Sequence, residues 1–417
     1  MSARRRPRTK APAALPLLLA TAVAGAAAAQ PSAAPPRDGV EWRDGRPAAT
    51  AFGGGLRLEP VLRFDADAVS FFGQSRPGGF RSGANLRRGY VGVEGEAFGV
   101  FEYGLVWDFG GSDPGDWSGI HQAQIAYTGL GWATVRAGAF RVQHLPDYAG
   151  SSFDLPFLER AAVSNIAASV ASGETRVAAG VEARGERWVG SFYLTNGVLS
   201  ARNDGRQRGA VGRLAALAVD RPEAQLQLGF NAAWRFETGG GTVRLDDYPE
   251  ARVDTRRFLD TGTLRADAAH AFGPEVTARL GGLLVEGVWQ RLGVDAAAGG
   301  IGQRAFEGWY AQAVHPLLGP ARRRNARTGV WTRPDAPEPF DPAAGRFGAL
   351  EAAARYSAVD LRDGPARGGR QRVWTAALNW FPRRDLRITA QYSNGAIDLD
   401  GRDRDFQAVG FRMAFNL

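Results

Sequence analysis

Arginine recurs in this chain on one parity of segments whose intervening residues are apolar. Arg63, Arg88, Arg136, Arg235, Arg355 and Arg387 sit in such positions, and so do Arg176, Arg184, Arg265 and Arg412. A guanidinium presents a planar fork of donors that meets an oxyanion through two parallel hydrogen bonds. Set in rows around a water-filled passage, such groups would select anions, because charged side chains lining a pore set its selectivity. Carboxylates share that parity (Asp65, Asp108, Glu182 and Asp267), with Asp108 the one expected at the pore. The alternative is that cations and carboxylates pair and only brace a wall. Lys10 is the single lysine among 51 Lys and Arg, so every cationic task after it falls to arginine.

Other chemistry is poorly supplied. Cysteine is absent, which excludes disulfides and thiolate metal sites. The four histidines, His121, His144, His270 and His315, show no metal-ligand spacing. No nucleophile-elbow motif is present. No catalytic residue, metal or cofactor is therefore expected, although a membrane-barrel hydrolase is the alternative from another class. The formal charge of +8 includes five cations within residues 1–29, so without that stretch it falls to +3, too weak a bias for nucleic acid.

The elements that carry the arginines read as strands. Side chains of a strand alternate between its faces, and "LRLEPVLRFDADA", "FEYGLVWDF", "LQLGFNAAWRF", "LEAAARYSA", "LRITAQYSN" and the closing "FRMAFNL" all alternate apolar with polar. About sixteen such segments follow Gly55, an even number as a closed antiparallel barrel requires. Tight connections ("AFGV", "TGLGW", "ARGERW", "DRPE", "AFGPE", "FPRRD") alternate with long ones, the largest being Arg141–Ser172 and Glu237–Phe258. His315–Arg346 breaks the rule: it is long where the alternation predicts a short turn, so either it is an insertion or a strand is miscounted.

Energy chooses which face meets lipid. An arginine on the lipid face costs roughly 2–4 kcal/mol at the midplane. Turning Arg63, Arg136, Arg235, Arg355, Arg387 and Arg412 outward would together cost on the order of 10 kcal/mol, comparable to the whole stability of a domain. The apolar face is therefore expected outside, with Trp132, Trp188, Trp309, Trp374 and Trp380 in interfacial girdles. A soluble secreted sandwich is the competing fold. A barrel of this strand number leaves an aqueous channel, and the long segment after Arg141 is the candidate to fold inward and narrow it.

The organisation expected is a signal peptide over 1–29 (basic, then apolar, then small residues), a flexible lead-in over 30–54, and an all-β, about 16-stranded transmembrane barrel over 55–417. The series "LRRGYVGVEGEAFGVFEYGLVWDF", "VRAGAFRVQHLPD" with "DLPFLERA", "GALEAAARYSAVDL" and "WTAALNWFPRRDLRITAQYSNG" resembles the signatures of phosphate-selective porins of the O/P family. That resemblance implies a trimeric channel for phosphate or polyphosphate in the Gram-negative outer membrane, with loops folded around a basic constriction. It puts Arg136, Arg141 and Arg160 near that constriction. Its implied partners are inorganic anions such as phosphate, outer-membrane lipid and two further copies of the chain. A general porin for small polar solutes shares the architecture. The chain departs from the family in lacking lysine near the mouth, in reading "GAFR" for "GQFK", and in ending on Leu417.

Overall fold

The computed structural model describes residues 38–43, 46–111, 119–173, 175–199, 204–300, 302–335 and 339–417. The expected signal peptide lies outside them. Sixteen antiparallel strands close into a barrel. They are β1 (Leu56–Phe72), β2 (Gly83–Ala97), β3 (Phe101–Asp108), β4 (Gly119–Tyr127), β5 (Ala133–Phe140), β6 (Arg176–Arg184), β7 (Trp188–Val198) and β8 (Arg208–Asp220). The second half comprises β9 (Ala224–Glu237), β10 (Leu264–Leu280), β11 (Leu283–Ala296), β12 (Arg304–Leu318), β13 (Ala349–Asp363), β14 (Ala366–Arg383), β15 (Leu386–Asp398) and β16 (Arg404–Asn416). β16 pairs with β1 from Gln407↔Phe72 to Asn416↔Arg63, which closes the ring.

Alternation sorts the faces as the energy argument requires. Trp374, Leu378, Ile388, Phe411 and Met413 are exposed outside, while Thr375, Asn379, Arg387, Gln391 and Arg412 are buried within. The apolar tail is thus the last barrel strand, alternately facing lipid and lumen. Trp132, Trp188, Trp309 and Trp374 are likewise exposed.

Three expectations change. "AFGPE" is no turn, because β10 runs straight through it and the chain reverses at Gly281–Gly282, where Gly281 takes φ 55°. Gly273 is needed there because a Cβ would strike the main chain of Trp289 on β11. Arg265 and Asp267 are exposed while Leu264 and Ala266 are buried, because a bulge between Ala266 and Ala268 shifts the parity. Within the lead-in, Gly39–Arg43 and Arg46–Ala51 form a hairpin, and Ala49–Ala51 pair with Leu58–Leu56 to extend β1.

The interior is filled by three chain segments. Residues 141–173 fold back into the lumen and carry two helices, α1 (Pro146–Ala149) and α2 (Ala162–Ala171). Val163, Ile166, Ala167 and Val170 of α2 pack in one buried cluster with wall residues Val211, Ala233, Val288, Leu292, Phe306 and Val359. Part of the inner face of β8–β13 is therefore apolar, contrary to a uniformly polar lumen, because a helix held inside needs apolar surface to bury; Arg213, Glu275, Glu286 and Arg355 share that face. Gly308 permits the close approach, since a Cβ there would lie 2.8 Å from Val163 Cγ2. Residues 238–263 enter from the same rim.

The third segment enters from the opposite, short-turn rim. The strand count is sixteen, so the connection after Leu318 is a true insertion. It crosses the barrel: Arg322 forks Glu351 (3.0 and 2.6 Å), and Arg327 reaches Glu102 on β3 at 2.8 Å. Trp331 packs with Phe157, Leu217 and Leu284 beneath the fold-back.

Candidate functional site

A loop buried in a lumen carries main-chain carbonyls that no strand partner satisfies. The wall arginines satisfy them. Arg387 donates to Phe153 O (2.9 Å) and Leu155 O, Arg412 to Leu158 O (2.6 Å), and Arg355 to Glu159 O (3.0 Å). Arg63 reaches Ser152 Oγ at 3.0 Å. Arg235 donates to Ser169 O and Val170 O in the last turn of α2, where a cation also complements the helix dipole.

Most of these arginines also face a carboxylate. Arg63 forks Asp65 at 3.0 and 2.7 Å, and Arg88 meets the same carboxylate at 2.9 Å. Arg355 contacts Glu250 at 2.5 Å. Glu159 is the hub, with Arg87 at 2.7 Å, Arg412 at 3.3 Å, Arg88 at 3.6 Å and Arg252 at 4.0 Å. Burial alone would raise the Glu159 carboxyl, but the four guanidinium groups hold it well below the ordinary range. Among the described residues Asp108 meets no arginine; it accepts Gly89 N–H (3.0 Å) and Gly110 N–H (2.8 Å), fixing the end of β3. Gln391 faces inward as its parity requires, but it is covered by the fold-back, accepting from Leu158 N at 2.9 Å.

Among the cavities of the described residues, two lie against the fold-back at Tyr148. The outer one, about 200 Å³, is lined by Arg176, Arg235, Arg244, Arg252 and Arg257 with Asp246 and Asp247. The inner one, about 230 Å³, is lined by Arg136, Arg141, His121, Gln122, Gln124 and Glu182. Tyr148 lines both. Arg136 contacts Glu182 at 2.8 Å and Gln124 at 2.5 Å. Arg141 donates to Gly150 O at 2.9 Å and has no carboxylate partner among the described residues. Burial, then the nearby Arg160 charge, lowers its guanidinium to about 10, still protonated at neutral pH. Arg160 lies 4.1 Å over the Tyr148 ring and donates to Asp147 O at 2.8 Å; its Nη2 is buried without a hydrogen-bond partner.

The chain matches the description "phosphate-selective porin O and P" over residues 61–417. It belongs to that family. This porin is 30% identical, over 98% of its own length and 84% of the other's, to an uncharacterized protein of Caulobacter vibrioides. Its fold is similar to an anion-selective porin from Comamonas acidovorans (TM-score 0.54, 14% identity, 86% of this chain and 99% of that one). It is also similar to OmpT of Vibrio cholerae (TM-score 0.55, 8% identity, 87% and 98%) and to OprB of Pseudomonas putida (TM-score 0.51, 9% identity, 86% and 94%). At those identities the likeness is one of fold. Family and architecture place the porin in the Gram-negative outer membrane.

Sequence reasoning missed the second inward segment, 238–263, which supplies Asp247, Tyr248, Arg252 and Arg257 to the outer cavity. Its length was visible, and so was its cluster of Arg252, Arg256 and Arg257 among aromatic and acidic residues. The direction in which it folds was not. Burial pushes the Asp247 carboxyl up to about 7, although Arg252 at 3.8 Å and a 2.8 Å hydrogen bond from Asn165 pull it back.

Proposed function

We propose that this porin is a passive channel that prefers anions, phosphate or polyphosphate among them, and that it works without cofactor or catalysis. The observation that carries the reading is the pair Arg141 and Arg160. Both stand beside Tyr148, between the two cavities, and neither has a carboxylate partner among the described residues. In a narrow, partly dehydrated passage their field is less screened than at an open mouth. The family match and the fold shared with the Comamonas anion-selective porin support the same reading.

In this arrangement Arg63, Arg88, Arg355, Arg387 and Arg412 hold the constriction in place, and Arg136 with Arg141, Arg160 and Arg252 face the permeating ion. The chain starts with a cleaved signal peptide over 1–29 and assembles as a homotrimer in outer-membrane lipid, as in the family it belongs to.

The test is the reversal potential of the purified porin in a planar bilayer under a potassium chloride gradient, followed by phosphate titration of the chloride current. The expected reversal potential lies toward that of chloride, and phosphate lowers the current. Cation preference overturns the reading. Anion preference with a current that phosphate leaves unchanged makes the protein a general pore for small solutes. Arg141→Ala and Arg160→Ala should each weaken phosphate block while the barrel still assembles.

A further inference from the structure

The outer and inner cavities meet at one side chain: among the described residues, only Tyr148 belongs to both linings. Its phenol is buried, and Oη donates to Asn165 Oδ1 at 2.9 Å. Asn165 Nδ2 then donates to Asp247 Oδ2 at 2.8 Å, and Arg252 stands 3.8 Å from Asp247. The series Tyr148, Asn165, Asp247, Arg252 therefore ties the fold-back 141–173 to the segment 238–263 across the lumen. Behind the ring lies Arg160, with a buried N–H that has no partner.

Resting on the channel reading above, we propose that Tyr148 is the neck of the conducting path and the residue that sets the size of the anion able to cross it. Latched to Asn165, the ring separates the two cavities. When the latch yields, an ion passing from one cavity to the other must pass the ring edge and shed part of its water. The free Arg160 N–H is placed to replace that water for an anion and offers nothing to a cation. The arginines on either side load the cavities; the neck decides what fits between them.

Conductance of the full mature porin reads the proposal directly, in chloride and then in acetate and gluconate as probes of increasing size. With Tyr148→Ala, chloride conductance should rise about two-fold or more, and gluconate should carry current that the unsubstituted porin does not pass. Tyr148→Trp should lower chloride conductance, and Tyr148→Phe, which keeps the bulk and loses the latch, should keep the size limit while raising the conductance. Heat-dependent gel migration reports whether each barrel has folded. If the alanine variant does not fold, the tryptophan and phenylalanine variants carry the test. Folded variants with the conductance and size limit of the unsubstituted porin overturn the proposal. A porin with no anion preference would instead sink the function above, while the ranking Ala above Tyr above Trp would still locate the neck.

Discussion

A buried guanidinium can be satisfied by a carboxylate or by main-chain carbonyls, and this porin uses both. Where it uses carbonyls, as at Arg387 and Arg235, the cation holds a loop. Neither is complete at Arg160, whose Nη2 is left without a hydrogen-bond partner among the described residues, or at Arg387, whose Nε and Nη2 are left so as well. Asp247 adds a titratable charge to the outer cavity. It faces Arg252 and Glu250 on its own segment, Asn165 and Tyr148 on the fold-back, and Arg176 and Arg235 on the wall. Raised to about 7 by burial, it is ionised above that pH and partly cancels Arg252, and neutral below it. Anion preference should therefore rise as pH falls through about 7. Asp247→Asn should fix the porin in its acid behaviour, so that reversal potentials at pH 6 and pH 8 coincide; a pH response kept in full by that variant would place the sensor elsewhere. The sign for stability is consistent. A carboxyl whose folded pKa is raised favours the fold most in acid, and that contribution is lost as pH rises from the ordinary value of 3.8 toward about 7.

Among the elements, the inserted connection after Leu318 has the clearest consequence. Arg322 and Arg333 bind Asp154 of the fold-back from below, at 2.7 and 2.8 Å, and Val330 sits against Gly150. Replacing residues 319–348 by a two-residue turn removes that support and uncovers Asp154 and Glu351. Single-channel conductance should increase and anion preference should fall, since two carboxylates lose their arginines near the inner mouth. An unchanged conductance would mean that the insertion bears on assembly and not on the path. The fold-back itself depends on wall geometry, because β8–β13 give α2 much of its apolar seat through Val211, Ala233, Val288, Leu292, Phe306 and Val359.

For the whole molecule, closure is the decisive event. Only when β16 meets β1 does every strand have two neighbours, which a barrel in lipid requires because an open edge would leave main-chain groups unpaired. Arg412 lies directly across this seam from Asp67 and forks it with two 2.6 Å contacts, both groups being buried. Arg412→Met strands the Asp67 charge and should cost roughly 3–5 kcal/mol, seen as a lower apparent melting temperature of the barrel in detergent. Adding Asp67→Leu should recover most of the loss, because the stranded charge is then gone. No recovery would mean that the contact of Arg412 with Leu158 O is what matters.

The architecture was legible along the chain because two local signals suffice for it. Strict alternation names the strands and their faces, and the cost of arginine in lipid chooses which face is outside; Phe411, Arg412 and Met413 state both at once. What local pattern leaves open is partnership. Arg63 and Arg160 look alike in sequence, yet one is forked by Asp65 and the other is left with a free N–H over Tyr148. Neither Gly273, needed for a neighbour strand and not for a turn, nor the inward path of 238–263 could be read from composition. The physical reason is that partnership is decided by residues far apart in the chain. Asp247 meets Asn165 across 82 positions and Arg412 meets Asp67 across 345, distances over which only the closed barrel sets the geometry.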